Sequence, residues 1–388
     1  MASIKLKGDT SGEVTIQAPA VAGTTILNLP ATSSTLATQN ALGVRNLIIN
    51  GDMRIDQRNA GSAVTLSGTP NSGYSVDRFL VVNVTDATVS FQQSSDVPTG
   101  QGFDKSLVST VTVTDTSLSS GQHSFIRQQI EGNNCYHLQW GTSDAKDITL
   151  SFWVKSSVSG TFGGTISNSG RTRSYPFSYT ILSTNTWEKK TITITADTTG
   201  TWAVDNTTGL SLSLSLGSSS TQSDVAGSWY SSNLTNATGA TNLLATSGAT
   251  FYITGVQLEI SDGEATPFEH RPYDMELARC QRYYETSYNQ GTALGTVTQD
   301  GAEMWLANRN PGLPHNYLKF RVIKRINPAI TIYNSGTGAT GSFSNLDTAT
   351  SPPAVTSRIG HKGSTIYTTT STNLGQFLQF HYTADAEL

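Results

Sequence analysis

Between Asn46 and Ile260, apolar and polar residues alternate in run after run. In Leu150–Lys155 the side chains of Leu150, Phe152 and Val154 fall on one side, and Thr191–Thr195 and Ser211–Leu216 repeat the scheme with hydroxyl residues in the alternate places. A period of two is the side-chain spacing of a β-strand. The pattern therefore predicts antiparallel strands with the apolar side inward and the hydroxyl side outward. Turn-forming segments such as TSLSSGQ, SNSG, DTTG and DNTTG separate the runs. The whole reads as one two-sheet β-sandwich of jelly-roll type.

One run changes phase. Phe251 and Ile253 are odd-numbered, whereas Val256, Leu258 and Ile260 are even-numbered, with Gly255 between them. A one-residue slip turns every later side chain to the other face. A bulge at Gly255 returns both halves to the core, and glycine accepts the backbone conformation a bulge often needs. The alternative is that the two halves face different partners.

The flanks read differently. Ile4–Lys7, Val14–Gln17 and Ile26–Leu29 predict strands too short to enclose a core, so they must pair with another copy or a larger assembly. ATSSTLATQNALGVRN reads as a linker. After Tyr288 a smaller β region is predicted from Met304–Leu306, Tyr317–Ile326, Ala329–Tyr333 and Gln376–Tyr382. Between sandwich and distal region, Gln257–Glu285 carries seven acidic and three basic residues. Pro272 opens a short amphipathic helix there, with Asp274 and Glu276 at its start, Arg279 and Arg282 toward its end, and Leu277, Cys280, Gln281 and Tyr284 on one face. A solvated helix face accounts for these charges. The chain is thus all-β in four parts: residues 1–45 an attachment segment and linker, 46–270 the jelly roll, 271–288 a linking helix, and 289–388 a distal β domain.

Charged residues make up 13% of the 388, against about 25% in an average soluble domain. Hydroxyls and amides carry the polarity instead, which suits long strands and argues against an α-rich enzyme. A net charge of −4 gives no long-range attraction for nucleic acid or anionic lipid. The N-terminus has no apolar leader, and no run is long enough to cross a membrane as a helix, so neither export nor membrane insertion is expected. Cys135 and Cys280 are expected to be buried small apolar residues.

Little in the sequence points to catalysis. Gly336–Gly341 matches GxGxxG after the strand-like AITIY, but SFSNLDTATSPP supplies no helix to hold a phosphate, so a hairpin loop is expected. The six histidines lie singly and the cysteines have no CxxC partner, so no metal or cofactor is expected. Glu264 and Glu269 are a carboxylate pair of the kind glycoside hydrolysis needs, but a solvated junction explains them. Aromatic rings beside polar loop residues suit sugars, whose C–H faces stack on rings while hydroxyls bond at the edges. On that basis Trp153, Trp187, Trp202 with Asp205, Trp305, Tyr317 and Tyr333 are candidate glycan contacts. Lys319, Arg321, Lys324 and Arg325 form a basic run that either faces acidic polysaccharide or is a solvated strand face.

Several phrases occur in an order that resembles a family of bacteriophage tail-fibre or tail-tip proteins. They are NLIINGDMRIDQR, YSVDRF, SFIRQQIEG, LSFWVKSSVSG, TADTTGTW and ITGVQLEISDGEATPFEHRPYDMELARCQRYYE, spanning about 46 to 285. KLKGDTSGEVTIQAPAVAGTTILNLP with TLAT looks like the attachment segment at the start of phage fibres, and FHYTADAEL is similar, less distinctively, to the tails of the same proteins. The resemblance implies a homotrimeric virion protein with a jelly-roll body similar to carbohydrate-binding modules. Residues 1–45 would meet tail, baseplate or portal-proximal proteins, and the distal end a host cell-surface glycan or outer-membrane receptor. Ending the chain after Tyr288 would then weaken binding to cells and leave attachment intact. A glycan-cleaving fibre and a capsid decoration protein are the competing readings.

Overall fold

The computed structural model describes residues 3–7, 13–17, 45–68, 70–260, 263–307, 315–370 and 375–388. The chain divides into two compact units, Met1–Gly43 and Val44–Leu388. In the first, β1 (Ser3–Lys7) and β2 (Glu13–Gln17) form an antiparallel pair with Ile4 opposite Ile16 and Leu6 opposite Val14. The strand predicted at Ile26–Leu29 and nearly all of the predicted linker lie outside the described residues.

In the second unit β3 (Val64–Leu66), β4 (Asn71–Tyr74), β5 (Leu80–Val84), β6 (Thr88–Ser94), β7 (Ser106–Val113) and β8 (His123–Glu131) lead to a short helix, α1 (Gly132–Cys135). Next come β9 (Ile148–Ser156), β10 (Gly160–Ser167), β11 (Ser174–Ile181), β12 (Glu188–Ile194) and β13 (Thr208–Ser218). Two short pieces, β14 (Ser223–Asp224) and β15 (Asn236–Ala237), precede β16 (Thr250–Ile260). Apart from β14 and β15, which pair with each other, these strands build two six-stranded antiparallel sheets, β11–β10–β13–β8–β5–β4 and β12–β9–β16–β7–β6–β3. Leu150, Phe152 and Val154 from one sheet and Phe162, Leu212 and Leu214 from the other meet in a common core, as the alternation predicts.

The phase change is a bulge. β16 pairs with β9 on both sides of Gly255, and the register shifts between Thr254 and Gln257. Phe251, Ile253, Val256 and Leu258 are all fully buried. Gly255 has φ +62°, and a Cβ there would meet the Phe103 ring at 2.6 Å. Gly255→Ala is therefore expected to lower stability by roughly 1–3 kcal/mol from backbone strain and displaced Phe103. Urea unfolding with an unchanged midpoint would show that the bulge tolerates a side chain.

One part of the alternation is misleading. On β13 the residues Ser211, Ser213 and Ser215 are buried like the leucines between them. The cause is remote in sequence: the stretch from β14 through β15 crosses the outer side of β10, β11 and β13, with Gly227 N bonding Pro176 O and Leu234 N bonding Ser174 Oγ. On β12 Thr191 and Thr193 are exposed as expected.

α2 (Tyr273–Gln281) begins after Pro272 as predicted, with Asp274 and Glu276 in its first turn. Only part of it is a solvated face: Asp274 is exposed, whereas other charges are taken up by neighbouring segments. Glu276 is buried, pairs with Arg271 at 3.1 Å, and accepts from the Asn50 N–H. Arg271 also donates to the Ile48 carbonyl, and Glu269 accepts the N–H groups of Arg45 and Asn46. Arg282 makes a two-pronged contact with Glu131 of β8, at 2.6 and 2.8 Å. The charge gathers here because several chain segments cross, and buried polar backbone needs partners.

Beyond it come β17 (Tyr284–Thr286), β18 (Glu303–Leu306), β19 (His315–Lys319), β20 (Ala329–Asn334), β21 (Ser344–Asn345), β22 (Val355–Gly360), β23 (Gly363–Tyr367) and β24 (Phe377–Asp385). β24 pairs with β17, β18, β20 and β21, while β23 lies between β19 and β22. Leu318, Phe320, Ile332, Phe343, Ile366 and Phe380 form a second apolar core. The predicted strand Tyr317–Ile326 stops at Lys319. Gly336–Gly341 is a turn in which Asn334 Oδ1 accepts the N–H groups of Gly336 and Thr337. The chain end then returns to the sandwich, where Glu387 pairs with Arg78 and Asp385 pairs with Arg58 at 2.8 Å.

Candidate functional site

Three loops at the β13 end of the sandwich each contribute a tryptophan. Trp140 follows α1, where Gln139 takes a left-handed conformation (φ 54°) that ends the helical turn. Trp202 lies in the approach to β13, and Trp229 in the segment between β14 and β15. The rings meet edge to face, with centroids 4.7 Å (Trp140–Trp202), 5.4 Å (Trp140–Trp229) and 5.6 Å (Trp202–Trp229) apart. Each indole N–H already has a partner: Trp140 donates to Lys146 O, Trp202 to Thr199 O and Trp229 to Thr195 O. Their hydrogen bonding is therefore used within the chain, and their faces are left for packing.

Arg173 holds the back of the cluster. Its guanidinium lies 5.6 Å from the Trp229 ring and grips both oxygens of Asp197 at 2.8 Å. Burial alone would raise the Asp197 carboxyl, but the bonds from Arg173 and Thr199 outweigh it and hold the group below its usual range. Asp197 O also accepts the Gly141 N–H, which ties the loop after Trp140 to the loop before Trp202.

In front of Trp140 and Trp202 is a cavity of about 310 Å³. Leu138, Leu210 and Cys135 make its apolar base, and Gln139, Thr142 and Asp144 contribute polar groups. Tyr136 and Val204 also line it and are 63% and 64% exposed, unusual for such side chains. Burial pushes the Cys135 thiol up to about 12, so it stays protonated and inert. An apolar, ring-walled hollow with a few edge hydrogen-bonding groups accommodates one or two sugar rings, at the small end of ligand pockets.

Of the residues singled out in the sequence, Trp202 is in this cavity. Asp205 is close in sequence but outside the lining, exposed, and its carboxylate accepts from the Thr207 N–H and hydroxyl. Trp153 is on the outer face of β9 beside a second hollow with Phe103, Phe268, His270 and Lys189. Trp187 donates to Asp96 and meets Tyr252 edge-on at 6.1 Å, while Lys155 lies 4.3 Å from the Tyr252 ring. Tyr317 is 56% exposed on β19, and Tyr333 packs edge-on against Tyr288 at 5.9 Å. Trp305 is not a surface residue: it is buried in the second core against Phe343 and Phe380. The basic run is likewise divided. Lys319 and Arg321 are exposed, but Lys324 and Arg325 are buried, Lys324 on Glu285 and Arg325 on the carbonyls of Ala386 and Asn206.

Trp140, Trp229 and Tyr136 were not singled out by the alternation because they stand in loops outside any run. Turn-rich surroundings, as in Trp140-Gly-Thr-Ser-Asp, are the signal they share with Trp202. Among the described residues no group of three His, Cys, Asp or Glu is placed to hold a metal ion.

No family model matches the chain, and no curated protein matches it. Some solved structures are similar to part of the chain at low identity. The enzymatically active domain of tailspike protein 4 of bacteriophage CBA120 is 13% identical, with a TM-score of 0.30, and the match covers 56% of this chain and 21% of that one. The family 11 carbohydrate-binding module of the Clostridium thermocellum cellulase Lic26A-Cel5E is 13% identical over 53% of this chain and all of that one, with a TM-score of 0.26. TmCBM61, solved with β-1,4-galactotriose, is 9% identical over 56% of this chain and 100% of that one, with a TM-score of 0.28.

Proposed function

We propose that this chain is a phage tail-fibre protein that binds a host cell-surface glycan, without cleaving it, in the cavity walled by Trp140 and Trp202. The observation that carries the reading is that cavity: two indole rings in its wall, two large exposed apolar side chains at its lining, and hydrogen-bonding groups beside them. Pyranose rings present the complementary surface, apolar on the faces and polar at the edges. Residues 1–45 serve as the attachment segment, consistent with the β1–β2 pair, whose five-residue strands are too short to be stable alone. Three chains share one fibre, so weak single sites add up on a cell surface.

Trp202→Ala tests the cavity. Trp202 is partly exposed and its indole N–H bonds one carbonyl, so the fold is expected to survive the change, which a melting curve checks. Affinity for host surface polysaccharide is expected to drop about tenfold or more, the equivalent of ~1.4 kcal/mol. Titration calorimetry on the full chain, its trimeric state checked by light scattering, measures this. Equal affinity of the variant sinks the assignment of the cavity. Reducing ends released from the polysaccharide would make the protein an enzyme, and immunogold on phage heads instead of tails would make it a capsid component.

A further inference from the structure

Arg127 of β8 carries a buried charge that the tryptophan cavity does not use. It projects from the outer side of its sheet, cross-strand from Ser213 and Leu80, and is 2% exposed. Other buried arginines have acceptors: Arg78 has Glu387, Arg271 has Glu276, and Arg325 has the carbonyls of Ala386 and Asn206. Arg127 has only one bond, Nε to Ser213 Oγ at 2.8 Å, and rests 4.1 Å from the Phe125 ring centre. Among the described residues its two Nη groups bond nothing and no carboxylate faces it. The charged and titratable neighbours that act on it or on the adjacent His123 have the same sign, since Arg171 and Arg127 both bear on His123. Burial, with Arg171 second, pulls the Arg127 pKa down to about 9, which leaves it charged at neutral pH.

Two further groups beside it are unsatisfied. Thr165 pairs with Ser213 across β10 and β13, Ser215 pairs with Phe125, and the buried hydroxyls of both lack a partner. A buried cation beside orphaned hydroxyls is costly unless something binds there. The β14–β15 stretch covers β10, β11 and β13, whereas Leu80 and Val82 of the neighbouring β5 are partly exposed. Arg127 therefore stands at the step between the covered and the open halves of the sheet.

We propose that Arg127 is the anchor of a second subsite, which takes the carboxylate of an acidic sugar unit such as a uronate. With Nε held by Ser213, the two Nη groups remain as an end-on fork, the geometry that matches both oxygens of a carboxylate. Thr165 and Ser215, with their orphaned hydroxyls, stand on β10 and β13, cross-strand from Ser213 and Phe125. That the carboxylate belongs to a sugar rests on the glycan reading above; the carboxylate site itself does not.

The probes are galacturonic acid and galactose, which differ at the carboxyl group, titrated into the full chain while the Arg127 side-chain N–H resonances are followed. Galacturonate is expected to shift them, galactose to leave them in place, and Arg127→Gln to weaken galacturonate binding at least tenfold. The same response to both sugars, no response to either, or undiminished binding by the variant overturns the proposal. Sulfate competing better than galacturonate also overturns it, in favour of a sulfated ligand. Arg127→Met supplies a readout that needs no ligand. Removal of an unpaired buried charge should hold or raise the melting temperature, and a clear fall would mark Arg127 as a structural residue. Loss of polysaccharide binding in Trp202→Ala with an intact galacturonate response separates the two sites, and failure of the first leaves the second standing.

Discussion

Ending the chain after Tyr288 is expected to destabilise the sandwich itself, and by more than any surface change. Asp385 and Glu387 supply the carboxylates for Arg58 and Arg78, and these arginines are rooted in the segment before β3 and the turn before β5. Arg78 is 2% exposed and stacks 3.6 Å from the Tyr283 ring, so after truncation its charge has no acid within reach. Removing one partner of a buried pair costs about 3–5 kcal/mol. Arg58 loses less, because Asp385 is partly exposed and Asp77 stays near it, yet the Arg78 loss alone is a large part of the stability of a typical domain, about 5–15 kcal/mol. Leu388, packed against Ile49, Ile55, Cys280 and Tyr283, goes as well. Calorimetric melting of residues 44–288 beside 44–388 tests this. Coincident melting of the sandwich in the two would show that the distal β region is a separable module, as the linear order of the parts implies. Without such coincidence, weaker cell binding by a truncated fibre says nothing about where the receptor docks.

What the sequence revealed and what it hid follow from the range of the interactions involved. The bulge at Gly255 was legible because odd Phe251 and Ile253 and even Val256 and Leu258 can share one core only through a slip. The start of α2 was legible because Pro272 suits a first turn. Both are written in adjacent residues. The burial of Ser213 and Ser215 was not, since it depends on a segment around Asn236 folding back over β13, with Asn236 filling the space that Gly163 leaves. The same holds for Lys324 and Arg325, which read as a solvated run until Glu285 and the chain end are brought against them. Trp202 could be picked out singly from its polar neighbours. Its meeting with Trp140 and Trp229 could not, because three loops from different strand connections must converge. Trp305 misled because an apolar core and a sugar platform draw on the same residue type.

The Lys324–Glu285 pair gives the second large effect, and its direction with pH can be worked out. Both side chains are fully buried, and Lys324 Nζ donates to Glu285 and to the Gln281 carbonyl. Glu285 has further donors, the Tyr382 hydroxyl and the N–H groups of Arg321 and Val322. The two single changes are therefore unequal. Lys324→Met leaves Glu285 with three donors, whereas Glu285→Gln leaves a buried ammonium with carbonyl and amide oxygens alone, at a cost of about 3–5 kcal/mol. Replacing both together should recover most of that loss, because no buried charge remains. Burial lowers the Lys324 pKa, and Glu285 pulls it back up in part. Without Glu285 the folded pKa falls further below the unfolded value of about 10.4. Between those two values the unfolded chain binds more protons than the folded one, so stability rises with pH. The deficit of Glu285→Gln relative to Lys324→Met should accordingly shrink as the pH is raised from about 7 toward 10, because the variant folds with a neutral amine. Urea midpoints for the two single variants and the double variant at both pH values test the argument. A deficit that is constant with pH would mean that the loss comes from packing and not from the stranded charge.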